Sequence, residues 1–85
     1  MPWSIDLSGG AQKDLDRLPG REAARVTVAL EAMRLNPVAG DVLKLKGQNA
    51  FRRRVGNYRI LFDIEFQSRT VRVFAVLRRT STTYR

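Results

Sequence analysis

Phe51-Arg52-Arg53-Arg54-Val55-Gly56-Asn57-Tyr58-Arg59-Ile60-Leu61-Phe62 is the stretch on which the fold turns. β-branched and aromatic residues flank a Gly-Asn pair, and that pair supplies the positive φ angles of a tight hairpin turn. A two-residue turn sets Val55 opposite Tyr58, Arg54 opposite Arg59, Arg53 opposite Ile60 and Phe51 opposite Phe62. Side chains alternate between the faces of a strand, so Arg52, Arg54 and Arg59 share one face. Arg53 points to the other face, its stem among apolar residues and its head reaching water. Like charges placed directly opposite destabilise a hairpin. A polyanion bound at that face is the simplest reason to keep the arrangement; the bland alternative is a solvated basic surface.

The charge distribution agrees with the first reading. The chain of 85 residues carries a net +8. Residues 1–43 hold five basic and six acidic side chains, a net −1, whereas residues 44–85 hold eleven and two, a net +9. Between Asp41 and Asp63 stand six basic residues and no acidic one. Such asymmetry points to a nucleic-acid or other polyanion partner. Lys44, Lys46, Arg53 and Arg78 are the flanking candidates for RNA binding.

Upstream, Trp3-Ser4-Ile5-Asp6-Leu7 alternates apolar and polar and reads as a strand with one buried face. Ser8 stands where a helix N-cap would. A short helix follows, with Ala11, Leu15 and Leu18 on one face, and Pro19-Gly20 ends it. A second helix runs from about Arg21 to Leu35 with Val26, Leu30 and Met33 as its apolar seam, and Asn36-Pro37 stops it. Val38 to Asp41 is a short loop, and Lys44-Leu45-Lys46-Gly47 leads into the hairpin. The second hairpin strand continues to about Phe66, Gln67-Ser68-Arg69 is a turn, and Thr70 to Leu77 is an apolar strand central in the sheet. The expectation is one α+β domain over residues 1–85: an N-terminal strand, an antiparallel pair of helices, then a three-stranded antiparallel meander completing a four-stranded sheet. The first strand pairs with the last in parallel, after the helical crossover.

Several chemistries are excluded by composition. The chain has no cysteine and no histidine, which removes disulfides, the usual zinc sites and the usual neutral-pH general base. No cofactor signal is present: Gly9-Gly10 lacks the further glycines and the lysine of a phosphate loop. Asp63 and Glu65 share a strand face, where pairing with Arg69 or Arg72 accounts for them. Apolar runs are too short to span a bilayer, and no secretory signal is visible, so a cytoplasmic protein is expected. What remains is an arginine cluster with Tyr84. Arginine grips phosphate with a planar fork of donors and keeps its proton. It suits neutralising charge that develops on a phosphate and is a poor general base.

The order of elements, the phrase Leu45-Lys46-Gly47 followed by Phe51 to Ile60, and the ending Arg79 to Tyr84 resemble the RelE/ParE toxin superfamily, and within it the RelE branch of messenger-RNA interferases. The resemblance covers nearly the whole chain. It implies the toxin of a type II toxin–antitoxin pair: a ribosome-dependent, metal-independent endoribonuclease without cofactor that cuts messenger RNA in the ribosomal A site and inhibits translation. The 2′-hydroxyl attacks the adjacent phosphate and leaves a 2′,3′-cyclic phosphate. By position, Arg52 and Arg54 match two basic residues of the family's first hairpin strand. Arg59 matches the arginine that steadies the phosphate, Arg79 the arginine at the leaving group or transition state, and Tyr84 the tyrosine that stacks on or orients the substrate. The implied partner is a RelB-like antitoxin in a hetero-oligomer, with no membrane involved. The family often has lysine where Arg54 stands, and lysine is the better proton acceptor. Ending at Arg85, the chain is expected to lack the further C-terminal helix of some members. Two rivals stand beside this reading: a non-catalytic, ParE-like inhibitor of DNA gyrase and a plain RNA-binding module.

Overall fold

In β4 (Tyr58–Glu65), Tyr58, Ile60, Phe62 and Ile64 are buried and the residues between them half-buried. This period of two is that of a strand packed on one face. β4 is the middle of the sheet in a computed structural model that describes residues 2–47 and 50–78. The other elements are β1 (Ser4–Leu7), α1 (Gly9–Asp16), α2 (Gly20–Met33), β2 (Val42–Lys44), β3 (Phe51–Val55) and β5 (Thr70–Arg78). The sheet order is β1-β5-β4-β3-β2.

The hairpin register is the expected one: Phe51 opposite Phe62, Arg53 opposite Ile60, Arg54 opposite Arg59 and Val55 opposite Tyr58. β1 pairs in parallel with β5, from Ser4 opposite Thr70 to Leu7 opposite Val73. Two expectations are corrected. The sheet has five strands and not four, because Val42–Lys44 joins the edge of β3. Its three residues are too short for a periodic signal, and it forms because β3 already presents a row of free backbone groups. Of the Gly-Asn pair only Gly56 takes a positive φ, +57°, and Asn57 does not. β5 is an interior strand, as expected, between β4 and β1.

Both helices pack on the same face of the sheet, so the domain has two layers. Ala11 of α1 and Val26, Ala29, Leu30 and Met33 of α2 meet Tyr58, Ile60, Phe62, Ile64, Val71, Val73 and Val76 in one cluster. Positions 26, 29, 30 and 33 are one stripe of an α-helix. Fully burying a side chain such as Phe62, Ile60 or Met33 contributes about 1.5–3 kcal/mol. Phe62 also stacks on Phe51, with ring centroids 5.5 Å apart. β5 keeps its apolar residues inward by a bulge: Leu61 pairs with Ala75 but Phe62 with Val73, leaving Phe74 without a partner. The extra residue shifts the alternation, so Val71, Val73 and Val76 all reach the core.

β1 ends at Leu7, which would leave the outer half of β5 as an open edge. α1 covers it. Ser8 caps the helix as expected, its Oγ accepting from the Ala11 amide at 3.0 Å and donating to the Phe74 carbonyl at 3.3 Å. Farther along, the Val76 amide donates to Asp14 Oδ2 at 3.0 Å. α1 ends at Asp16 with Arg17 as its C-cap, earlier than expected, so Leu18 lies outside it and Pro19-Gly20 opens α2 instead of ending α1. Pro19 is the N-cap of α2, at φ −54° and ψ 149°, and Gly20 is its first residue. Among the described residues, no helix is long and apolar enough to cross a membrane.

Candidate functional site

The face of the sheet away from the helices is a grid set by strand register. In one row Leu43, Arg52, Leu61 and Ala75 lie side by side across β2, β3, β4 and β5. In the next, Arg54, Arg59 and Leu77 do so across β3, β4 and β5. Paired residues share a face, so Arg52, Arg54 and Arg59 form one cluster, as their spacing predicts. Leu43 and Leu77 are exposed, at 55% and 44%. The surface is therefore a basic patch interleaved with apolar side chains, not a purely charged one.

One member of the cluster escapes sequence reasoning. The Arg54 amide donates to the Asp41 carbonyl at 3.0 Å, which extends the β2–β3 ladder by one residue. Alternation then turns the Asp41 side chain toward the arginines. Its Oδ2 lies 3.7 Å from Arg54 Nε and its Oδ1 4.0 Å from Arg52 Nη1. The like-charge opposition of Arg54 and Arg59 is thus flanked by a carboxylate. Asp41 stands just before the basic stretch, and nothing local to it announces a partner eleven to thirteen places on.

The other candidates lie elsewhere. Arg53 is on the helix side, between the levels of Phe51 and Val55. Its Nη1 donates to the Ala39 carbonyl at 2.8 Å, and its guanidinium lies against Gly40. A Cβ at Gly40 would sit 3.0 Å from that group, and Gly40 has φ +87°. The positive φ is what calls for glycine there; the guanidinium is the end of a flexible side chain and would need to give only slightly. Lys44 is opposite Phe51 and Arg78 opposite Tyr58, so register assigns both to the helix side. Lys46 is exposed in the segment after β2. None of Lys44, Arg53 and Arg78 shares the face of Arg52, Arg54 and Arg59. Arg79 and Tyr84 lie outside the described residues.

Asp63 and Glu65 are accounted for by local partners. Arg72 Nε donates to Asp63 Oδ1 at 2.7 Å across β4 and β5. That hydrogen bond, and then the negative charge of Asp63, raise the pKa of Arg72 above its ordinary value. Glu65 accepts from the Gln67 amide at 3.0 Å. Arg69, the other expected partner, lies over the Trp3 ring with its Cζ 4.7 Å from the centroid. Among the described residues no three acidic side chains come together as a metal site.

Comparison with known proteins converges on one superfamily. Residues 5–82 match the family model described as the ParE toxin of the type II toxin–antitoxin system parDE. Toxin RelE3 of Methanocaldococcus jannaschii is 39% identical over 74 residues, covering 81% of this chain and 82% of the relative. The RelBE2 toxin–antitoxin complex of Mycobacterium tuberculosis contains a chain 30% identical, with a TM-score of 0.80, over 93% of this chain and 100% of that one. The archaeal RelE–RelB complex of Pyrococcus horikoshii has a similar fold at 22% identity, with a TM-score of 0.85, over 96% of this chain and 100% of that one.

Proposed function

The chain belongs to the RelE/ParE superfamily of toxins from type II toxin–antitoxin systems, and from that premise we propose that it is a ribosome-dependent messenger-RNA endoribonuclease of the RelE kind, neutralised by a cognate RelB-like antitoxin. The observation that carries this reading is the sheet face away from the helices, on which Arg52, Arg54 and Arg59 meet, with Arg54 directly opposite Arg59. Guanidinium groups arriving from two strands suit a phosphate whose charge increases during reaction. The ribose 2′-oxygen attacks the adjacent phosphorus, and the bond to the 5′-oxygen of the next nucleotide breaks. The 2′-hydroxyl proton is lost, and a proton is gained by the leaving 5′-oxygen. The products are a 2′,3′-cyclic phosphate and a 5′-hydroxyl. Arginine holds its proton throughout, so Arg52, Arg54 and Arg59 supply position and charge. In the same reading Arg79 neutralises the leaving group and Tyr84 stacks on a base.

A second reading is favoured by one observation. The family model that matches residues 5–82 is that of the ParE toxin, which supports a non-catalytic inhibitor of DNA gyrase. Primer extension on messenger RNA after induction separates the two. Cuts within translated frames are expected for the interferase; intact RNA with altered plasmid supercoiling makes the gyrase reading the better one. Single-turnover cleavage on programmed ribosomes then tests the tail. Arg79→Ala is expected to slow cleavage about 10²–10³-fold, as loss of a transition-state charge contact does. Tyr84→Ala is expected to lose about 1–3 kcal/mol of stacking. Full toxicity of both variants overturns the interferase assignment.

A further inference from the structure

We propose that Asp41 is a built-in phosphate surrogate: its carboxylate occupies the position between Arg52 and Arg54 that a substrate phosphate takes, and RNA must displace it to bind. The proposal rests on the reading of the arginine face as a polyanion site and concerns how that site is held before it is filled. Asp41 reaches Arg52 Nη1 at 4.0 Å and Arg54 Nε at 3.7 Å. Both distances are ion-pair distances, and both are longer than a charge-assisted hydrogen bond. The carboxylate therefore balances charge without satisfying the donors. Arg52 Nη1 is shielded from water and has no hydrogen-bond partner among the described residues. A donor in that state favours an acceptor that comes closer. A phosphate presents its oxygens on a tetrahedron and is not tethered to β2, so it can approach both guanidinium groups.

The backbone explains why Asp41 stays in place. Its carbonyl accepts from the Arg54 amide at 3.0 Å, and the Val42 amide donates to the Gly40 carbonyl at 3.0 Å, closing a tight turn around it. The carboxylate is pinned beside the arginines by its own main chain and is still 56% exposed. Its contact with Arg54 is exposed on both sides, and an exposed ion pair is weak. The consequence is a face that is pre-arranged yet partly neutralised, so that loose polyanion binding is reduced.

The test compares Asp41→Asn with Glu31→Gln and Asp41→Glu. Glu31→Gln makes the same change in net charge on α2, where Glu31 pairs with Arg34. The probe is a short 2′-O-methyl oligoribonucleotide, which lacks the free 2′-hydroxyl and is not cut. Its affinity is measured over a series of salt concentrations. Asp41→Asn is expected to bind about threefold more tightly than wild type, with a log–log salt slope steeper by about 0.7, one extra phosphate on a single strand. Glu31→Gln is expected to change affinity less and to leave the slope alone. Asp41→Glu keeps the competing charge and is expected to bind no more tightly than wild type. Wild-type binding with a salt slope, together with a folded Asp41→Asn that binds equally or more weakly, overturns the surrogate and leaves the polyanion site standing. Asp41→Asn indistinguishable from Glu31→Gln overturns it too. A wild type whose binding does not depend on salt removes the polyanion site itself, and both readings fall.

Discussion

Arg25 of α2 lies against Gly56 in the hairpin turn. A Cβ built on Gly56 would fall 2.8 Å from Arg25 Nη1 and 3.0 Å from its Cζ. The turn thus packs against the helix layer where the chain reverses. Gly56 also has φ +57°, where a side chain is strained whatever the space around it.

Gly56→Ala is accordingly expected to cost about 1–2 kcal/mol, the penalty of a left-handed backbone for a residue with a Cβ. Arg25 is long and its end can move, so the contact adds little. Adding Arg25→Ala to Gly56→Ala should recover no more than about 0.5 kcal/mol, the usual size of a surface effect. Denaturant unfolding of the four members of this cycle measures both terms. Full recovery in the double variant would mean that crowding, not backbone strain, sets the cost.

Asp14→Ala should destabilise the protein by about 1.5–3 kcal/mol, the range for a hydrogen bond to a charged group. The Val76 amide donates to Asp14 Oδ2 across the edge that β1 leaves uncovered. Hydrogen exchange at Val76 should accelerate more than exchange at the Val71 amide, which lies where β1 still pairs. Unchanged protection at Val76 would remove Asp14 from the account of that edge.

Arg54→Thr is expected to leave thermal stability within about 0.5 kcal/mol of wild type while sharply reducing toxicity. The substitution removes repulsion from Arg59 and attraction to Asp41 together. Both are surface effects of up to about 1 kcal/mol with opposite signs. A large loss of stability with toxicity retained would make Arg54 a structural residue.

Binding to single-stranded RNA should weaken steeply with salt. Engaging about four phosphates gives a log–log slope of roughly −3, at about −0.7 for each. Arg52→Gln should reduce the slope by about 0.7, whereas Arg72→Gln should not, since Arg72 is already paired with Asp63 at 2.7 Å. Equal effects of the two substitutions would show that overall charge, and not the face of Arg52, governs binding.

The hairpin from Phe51 to Phe62, its register and the shared face of Arg52, Arg54 and Arg59 could all be read from sequence. The Gly-Asn turn sets which residues oppose each other, and alternation sets the faces. The Ser8 cap, the apolar stripe of α2 and the parallel pairing of β1 with β5 were readable for similar reasons, since each rests on local spacing or on the order of elements. Long-range partners were not. Asp41 beside Arg54, Asp14 beneath Val76, Arg53 on the Ala39 carbonyl and Arg25 against Gly56 join residues whose separation in sequence carries no period. β2 was missed because three residues pair only where β3 offers a free edge. The local sequence thus determined which side chains face the same way. Only the tertiary structure decided which of those charges meet a partner, because that depends on where distant segments come to rest once the core has closed.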